Sequence, residues 1–361
     1  MSAGTLFGLA IALGACLLFQ IQFLLAKLIL PWFGGSPSVW STCLLVFQVL
    51  LLAGYAYAHA LARLPRRGQV ARHAAIIAVA VVVLAARAWL WPSPVTPGDA
   101  WKPDPNGSPV SQILVLLTGA VGLPFLLLAS TSPLLQRWHA DRAPNTSPYR
   151  LYALSNLGSL VGLLTYPWLV EPYLDVFQQG RWWTAAFAVY AAAVASCMAV
   201  MRRVPVTDGL AMPTPASSGP DDAGDEEARQ PGHYAPHQPP SVLDQVIWLL
   251  LAAVPAALLQ ATTSRITQDI AAVPFLWMVP LAIYLITFII AFEYPRVFHR
   301  GLLTVLVALG MAAAIPEWST ALTLAATLGQ LALVGWCFHG ELSARAPAPR
   351  WLTRYFLFFS A

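Results

Sequence analysis

The chain has 361 residues, of which 58% are hydrophobic and only 10% charged, whereas about a quarter of the residues of a soluble domain are charged. Together with a mean hydropathy of +0.64 and apolar runs close to the roughly 20 residues that cross a bilayer, this excludes a cytosolic enzyme, a disordered chain and a disulfide-stapled secreted module. The net charge of +4 reads as loop orientation in a membrane protein, not as a nucleic-acid footprint.

Apolar segments bounded by charges and prolines fall at 5–30, 38–62, 74–91, 111–136, 150–170, 182–201, 243–262, 275–292, 301–315 and 320–338. An eleventh begins near Trp351, and the chain stops inside it. Each span is expected to be helical, because lipid offers no partner to an unpaired backbone group. Leu13-Gly14-Ala15-Cys16 resembles a lipoprotein cleavage box, but there is no positive start and the apolar run continues to Leu30. The first segment therefore reads as a retained span. Cys16, Cys43, Cys197 and Cys337 each lie in an apolar run and form no C-x-x-C pair, which points to small buried residues and not to a metal or redox site. No cofactor is expected.

Positive charge alternates along the loops. Arg63, Arg66, Arg67 and Arg72 follow the second span, and Arg137, Arg142 and Arg150 flank the loop after the fourth. Arg202 and Arg203 follow the sixth, Arg296 and Arg300 the eighth, and Arg345, Arg350 and Arg354 the tenth. The odd-numbered loops hold only Lys102, Arg181 and Arg265. This pattern predicts a multi-pass protein of a bacterial inner membrane with its N-terminus and even loops in the cytoplasm. The Pro-rich stretch 92–110 is then outside. Residues 203–242, rich in Pro, Gly, Asp and Glu, read as a disordered cytoplasmic linker between a first six-helix half, 1–202, and a second half, 243–361, that is incomplete at its C-terminus. His233 and His237 in that linker have helical metal-ligand spacing, but Pro236 between them opposes a helix, so no metal site is expected.

The chain repeats itself across the linker. Pro37-Ser38-Val39-Trp40 opens the second span and Pro274-Phe275-Leu276-Trp277 the eighth. Gln20 lies in the first span and Gln260 near the end of the seventh, and Arg142-Ala143-Pro144 and Arg345-Ala346-Pro347 precede the fifth and eleventh. Six spans per half preserve orientation, so this is a parallel repeat about an axis along the membrane normal, as in major facilitator transporters. The expected fold is all-α: a polytopic transmembrane bundle of about ten helices plus the start of an eleventh, in two parallel pseudo-repeats.

Five stretches resemble the membrane part of the bacterial fused spermidine synthase-like proteins, also described as fused major facilitator/spermidine synthase proteins. They are Pro31–Trp40 (PWFGGSPSVW), Thr131–Trp138 (TSPLLQRW), Tyr152–Trp168 (YALSNLGSLVGLLTYPW), Thr267–Tyr284 (TQDIAAVPFLWMVPLAIY) and His339–Tyr355 (HGELSARAPAPRWLTRY). The resemblance implies a membrane module that anchors, or acts as a conduit for, polyamine-related chemistry. Its partner would be a methyltransferase-like catalytic domain encoded downstream. No βαβ pattern or G-x-G-x-x-G after a strand occurs here, so the module is not expected to be catalytic by itself. Gly158 and Gly162 are expected to let helices approach closely.

The polar residues inside the spans supply the candidate substrate path. Gln20 and Gln22 lie deep in the first span, where they could hydrogen-bond between helices or line a cavity. Lys27 is expected to snorkel to the interface, Arg87 to reach it beside Trp89 and Trp91, and the hydroxyls of Ser130, Thr131 and Ser132 to satisfy backbone freed by Pro133. Asn156, with Ser155 and Ser159, forms a polar cluster in the fifth span. Gln260–Asp269 (QATTSRITQD) places Arg265 and Asp269 four residues apart on one helical face. It is either a periplasmic loop with an ion pair or a broken, cavity-lining helix. Candidate path residues are thus Gln20, Gln22, Asn156, Gln260, Arg265 and Asp269. Besides the anchoring module, a secondary transporter of a small solute and a non-catalytic membrane scaffold fit this sequence. The expected surroundings are the lipid bilayer, with no nucleic acid.

Overall fold

The computed structural model describes residues 2–143, 148–202, 239–269, 278–313 and 320–360, the side chains at 37, 267–269, 313 and 320 excepted. Among these residues run eleven α-helices: α1 (Ala3–Phe33), α2 (Pro37–Ala62), α3 (Arg66–Leu90), α4 (Pro109–Arg142), α5 (Tyr149–Thr165), α6 (Val176–Arg202), α7 (Val242–Asp269), α8 (Met278–Glu293), α9 (Arg300–Ala313), α10 (Thr320–Ala344) and α11 (Leu352–Ser360). Eight are long and apolar enough to cross a membrane. Most of the expected linker, and the Pro274–Trp277 half of the repeated Pro-x-x-Trp motif, lie outside the described residues.

The helix ends follow local chemistry. Ser2 and Ser36 accept hydrogen bonds from the amides of Thr5 and Val39 and so cap α1 and α2, leaving fewer N-terminal donors unpaired. Gly34, at φ 77°, donates its amide to the Leu30 carbonyl and stops α1, a left-handed position that favours glycine. α5 ends at Pro167, which has no N–H for the carbonyl four residues back. The backbone there widens into a π turn over 166–170, closed by the Glu171 amide on the Tyr166 carbonyl at 2.8 Å. Several helices outrun their apolar segments. α3 starts at Arg66, not near 74, because Pro65 sets a helix start and arginine is a good helix former.

Within the first half α1 packs on α4, α5 and α6, α2 on α4, and α3 on α6. Within the second, α7 packs on α10 and α11, α8 on α10, and α9 on α10. The halves meet where α5 lies on α8 and α11 on α2, two contacts that the repeat exchanges. The parallel repeat is therefore present as packing, with the arginine-bearing helix ends gathered at one end of the bundle.

The α1–α5 contact shows why the small residues matter. A Cβ on Gly158 would collide with the Ala12 carbonyl, and one on Gly162 would lie 2.6 Å from the Cys16 carbonyl oxygen. Further along, Gln20 Nε2 donates to Thr165 Oγ1 at 3.4 Å and Lys27 Nζ to Glu171 Oε1 at 2.6 Å. The partners advance together one or two turns at a time, as in two helices running side by side in one direction. Lys27 thus does not simply snorkel: it reaches across to an ion pair that fixes the far ends of α1 and α5. Gly54 makes the matching close approach between α2 and α4, where a Cβ would lie 2.9 Å from the Leu126 carbonyl oxygen.

Arg87 departs from its expected position. Pro124 inside α4 has no N–H to offer the Ala120 carbonyl. Arg87 supplies the missing donor, Nη1 to Ala120 O and Nη2 to Gly119 O, both at 2.6 Å, with its guanidinium 4.5 Å from the Trp91 ring centre. Gly119 carries no side chain, and Trp101 occupies that space. The hydroxyls before Pro133 serve a carbonyl two residues before the one that Pro133 frees, that of Ala129. Ser130, Thr131 and Tyr190 all converge on the Leu127 carbonyl, at 2.8, 2.8 and 3.2 Å.

Arg87→Ala should destabilise the protein by about 2 kcal/mol, the scale of a charged hydrogen bond lost from a buried acceptor. In a Pro124→Ala background, where α4 regains its own donor, the same change should cost clearly less; thermal unfolding in detergent of the four proteins measures the coupling. Gly162→Val should cost at least about 2 kcal/mol by overpacking. Gly329→Ala, with open space at its Cβ, should be neutral or stabilising by up to about 1 kcal/mol.

Candidate functional site

Along the seam between the halves, α5 presents Tyr152, Asn156, Ser159 and Leu163, all buried. The spacing of four, three and four residues puts them on one stripe of the helix. Tyr152 is the hub of an aromatic cluster. Its ring centre lies 5.6 and 4.8 Å from Phe288 and Phe292 of α8, and 5.1 and 5.5 Å from Phe356 and Phe359 of α11. Tyr355 of α11 stands edge-on to Trp248 of α7 at 5.0 Å and lies 5.0 Å from Phe359. Tyr152 and Tyr355 each follow by ten residues the arginine at the end of the preceding helix, Arg142 and Arg345, so the repeat places two tyrosines in one cluster. The cluster closes the seam at the arginine-rich end of the bundle.

A polar collar surrounds it. The turn from α10 into α11 carries Pro347 and Pro349, so it is rich in carbonyls that lack helical donors. Tyr149 of α5 donates to Pro347 O, and Arg137 of α4 donates to Pro349 O at 2.9 Å. Trp248 donates to Arg345 O at 3.2 Å and Tyr355 to Leu342 O at 2.7 Å. First-half side chains thus hold a second-half turn. Two further cross-half links are Arg150 to Glu293, 2.6 Å, and His59 Nδ1 with Thr353 Oγ1, 3.1 Å. The Arg150 side chain is 72% exposed, so the ion pair is solvated, screened by salt and weak.

The five candidate path residues whose side chains are described lie on three helices, Gln20 and Gln22 on α1, Asn156 on α5, and Gln260 and Arg265 on α7. Gln20 is half-buried and faces Thr165 of α5, while Gln22 Nε2 donates back to the Leu18 carbonyl at 3.1 Å. Asn156 Nδ2 donates to the Tyr152 carbonyl at 2.9 Å, one turn above the aromatic cluster and on the seam stripe. Gln260 and Arg265 are exposed near the far end of α7, and the Asp269 side chain lies outside the described residues. The 260–269 stretch is helix throughout, which corrects the loop alternative: Thr262 and Ile266 are buried four residues apart while Gln260 and Arg265 face outward, so it is an amphipathic continuation of α7.

Sequence reasoning missed the aromatic cluster and the α10–α11 turn, because aromatics in a membrane helix look alike whether they face lipid or a partner. The equal spacing of Tyr152 and Tyr355 was the available signal. His59 bridges α2 to α11 through Thr353. Among the described residues no group of His, Cys, Asp and Glu could hold a metal.

Tyr152→Ala and Phe288→Ala should each cost about 3 kcal/mol, the scale of emptying an aromatic site in a packed core. Because they share a contact, the double variant should cost measurably less than the sum. Strict additivity in detergent melts would mean that the two rings do not support one another.

No family model matches the chain, and no curated protein matches it. Its fold is that of solved transporter structures. It superposes with a TM-score of 0.50 and 15% identity on a double-tryptophan mutant of XylE, over 99% of this chain and 84% of that one. It also superposes on "the MFS (major facilitator superfamily) proton:xylose symporter XylE bound to 6-bromo-6-deoxy-D-glucose", with a TM-score of 0.50 and 15% identity over 98% and 87%. At this identity the likeness concerns the fold, and the chain is a polytopic, major facilitator-like membrane protein.

Proposed function

We propose that this chain is the membrane body of a secondary transporter that moves a small, uncharged polar solute by alternating access between its halves. The observation that carries the reading is the seam: two pseudo-symmetric helix pairs, α5 with α8 and α2 with α11, closed at one end by side chains that can part without unfolding either half. The solute class follows from chemistry. Every described carboxylate side chain lies in a loop or within about a turn of a helix end, while the polar groups inside the spans are mainly amides and hydroxyls, among them Gln20, Gln22, Asn156, Ser159 and Thr165. Such groups hydrogen-bond a neutral solute and offer no counter-charge to an ion.

The charge alternation supports placing the arginine-rich end and the N-terminus in the cytoplasm of a bacterial cell, with 203–242 tethering the halves 1–202 and 243–361. A second reading follows from the sequence resemblance: an anchor or conduit for polyamine-related chemistry, partnered by a downstream methyltransferase-like domain. A diamine would call for carboxylates along its path, and the described span interiors carry none, so this reading rests on the resemblance.

Gln20→Cys and Asn156→Cys, introduced singly with the four native cysteines replaced by alanine, should react with a membrane-impermeant thiol reagent, Gln20→Cys from the far end and Asn156→Cys intermittently from the arginine-rich end. Protection of both from both sides, with normal labelling of Arg67→Cys, would leave a sealed scaffold. In proteoliposomes, labelled D-xylose or D-glucose should exchange faster than putrescine; the reverse order would favour the polyamine reading. Labelling of Arg67→Cys from the periplasmic side of intact cells would overturn the orientation.

A further inference from the structure

His339 is completely buried in α10. Its ring lies almost flat on Phe288 of α8, with centres 3.5 Å apart and planes 17° apart, and edge-on to Tyr284 at 4.9 Å. Phe288 in turn touches Tyr152 and Phe359, so the imidazole backs directly onto the cluster that closes the seam. Its hydrogen bonding fixes its tautomer. The single hydroxyl proton of Thr287 goes to the Tyr284 carbonyl at 2.7 Å, and the same Oγ1 lies 3.0 Å from His339 Nδ1. The hydroxyl can then only accept, so Nδ1 carries the hydrogen. Nε2 is left as a bare lone pair, buried and without any hydrogen-bond partner. Buried polar atoms are nearly always paired, and an exception asks for a reason. Gly335, one turn away, admits the Thr287 hydroxyl: a Cβ there would lie 2.9 Å from Oγ1.

The neighbouring charges are occupied elsewhere. Tyr284 is the titratable group that α8 turns to the ring. On α10, Glu341 pairs with Arg300 of α9 and with Arg345. On α7, Asp244 is held by Ser241 at the helix start. None of these bonds the imidazole.

We propose that His339 Nε2 binds the coupling proton of this transporter, an inference that rests on the alternating-access reading above. The step moves one proton from hydronium to the Nε2 lone pair: an O–H bond breaks as the N–H bond forms, water is left behind and the ring becomes an imidazolium. The face of Phe288 can carry that charge, but the new N–H has no acceptor while the seam is closed. Protonation therefore disfavours the closed aromatic cluster relative to an arrangement in which water reaches Nε2, and proton binding biases the seam toward opening at the arginine-rich end.

The test uses Asn156→Cys in the cysteine-replaced chain, in vesicles turned with the arginine-rich end outward. Labelling rates at pH 8 and pH 5 are divided by those of Arg67→Cys in the same vesicles, which removes the pH dependence of the thiol reaction. The expected result is an increase of at least about 5-fold on acidification, the size a modest population shift produces. His339→Asn keeps an N–H for Thr287 but has no titrating lone pair, and should flatten the profile. Thr287→Val, which frees the tautomer, should displace the profile without abolishing it. A pH-independent rate in the parent, or a profile unchanged in His339→Asn, overturns the proton site and leaves the transporter reading standing. Absence of Asn156→Cys labelling at every pH overturns both.

Discussion

A backbone carbonyl inside hydrocarbon has no water to fall back on, and each unpaired one costs several kcal/mol. This chain places prolines inside α1, α4 and α7, and its architecture depends on how the freed carbonyls are served. At Ala120 the answer is an arginine from the neighbouring helix, which ties α3 to α4 where the two have little other contact. In the α10–α11 turn, outside the helices, the Pro347 and Pro349 carbonyls are met from the other half of the molecule, by Tyr149 and Arg137. A backbone group left without a helical partner thereby becomes a tertiary contact, and in the second case a contact between the two halves.

The seam balances strength against reversibility. Aromatic pairs contribute about 0.5–1.5 kcal/mol each beyond area burial, and they part as units when a helix tilts. The collar adds hydrogen bonds to carbonyls that can turn to water at the membrane surface instead. By contrast, the contacts within each half are of the kind that cannot slide: Gly158 and Gly162 bring α1 and α5 to backbone contact, and Gly54 does the same for α2 and α4. Close-packed halves that meet through side chains are the arrangement on which the alternating-access proposal rests.

The charges are distributed with the same logic. Lys27 and Glu171, Arg150 and Glu293, and Arg300 and Glu341 all lie at helix ends, where ions remain close to water. Apart from Arg87, the described interior is left to amides, hydroxyls and histidines, which makes a buried imidazole with a bare nitrogen the most conspicuous polar group near the seam. The stretches Tyr152–Trp168 and His339–Tyr355 supply both tyrosines of the cluster, the α10–α11 turn and His339.

Composition and span length determined that the chain is a helical membrane bundle, because twenty apolar residues in lipid have no alternative to the helix. Charge alternation and the Arg-Ala-Pro repeat carried the parallel two-half plan, and the small-residue pair Gly158 and Gly162 marked a close helix contact correctly, since close approach demands the absence of a side chain whatever the partner. The partner itself was not legible. Lys27 and Glu171 are far apart in sequence, Arg87 serves a carbonyl on another helix, and Asn156 and Gln260, equally polar, end on different faces. A hydropathy profile records how apolar a helix is but not which way it is turned. Only packing decided that Tyr152, Tyr355 and Phe288 meet each other instead of lipid, because hydrocarbon and an aromatic core are nearly the same solvent to an aromatic side chain.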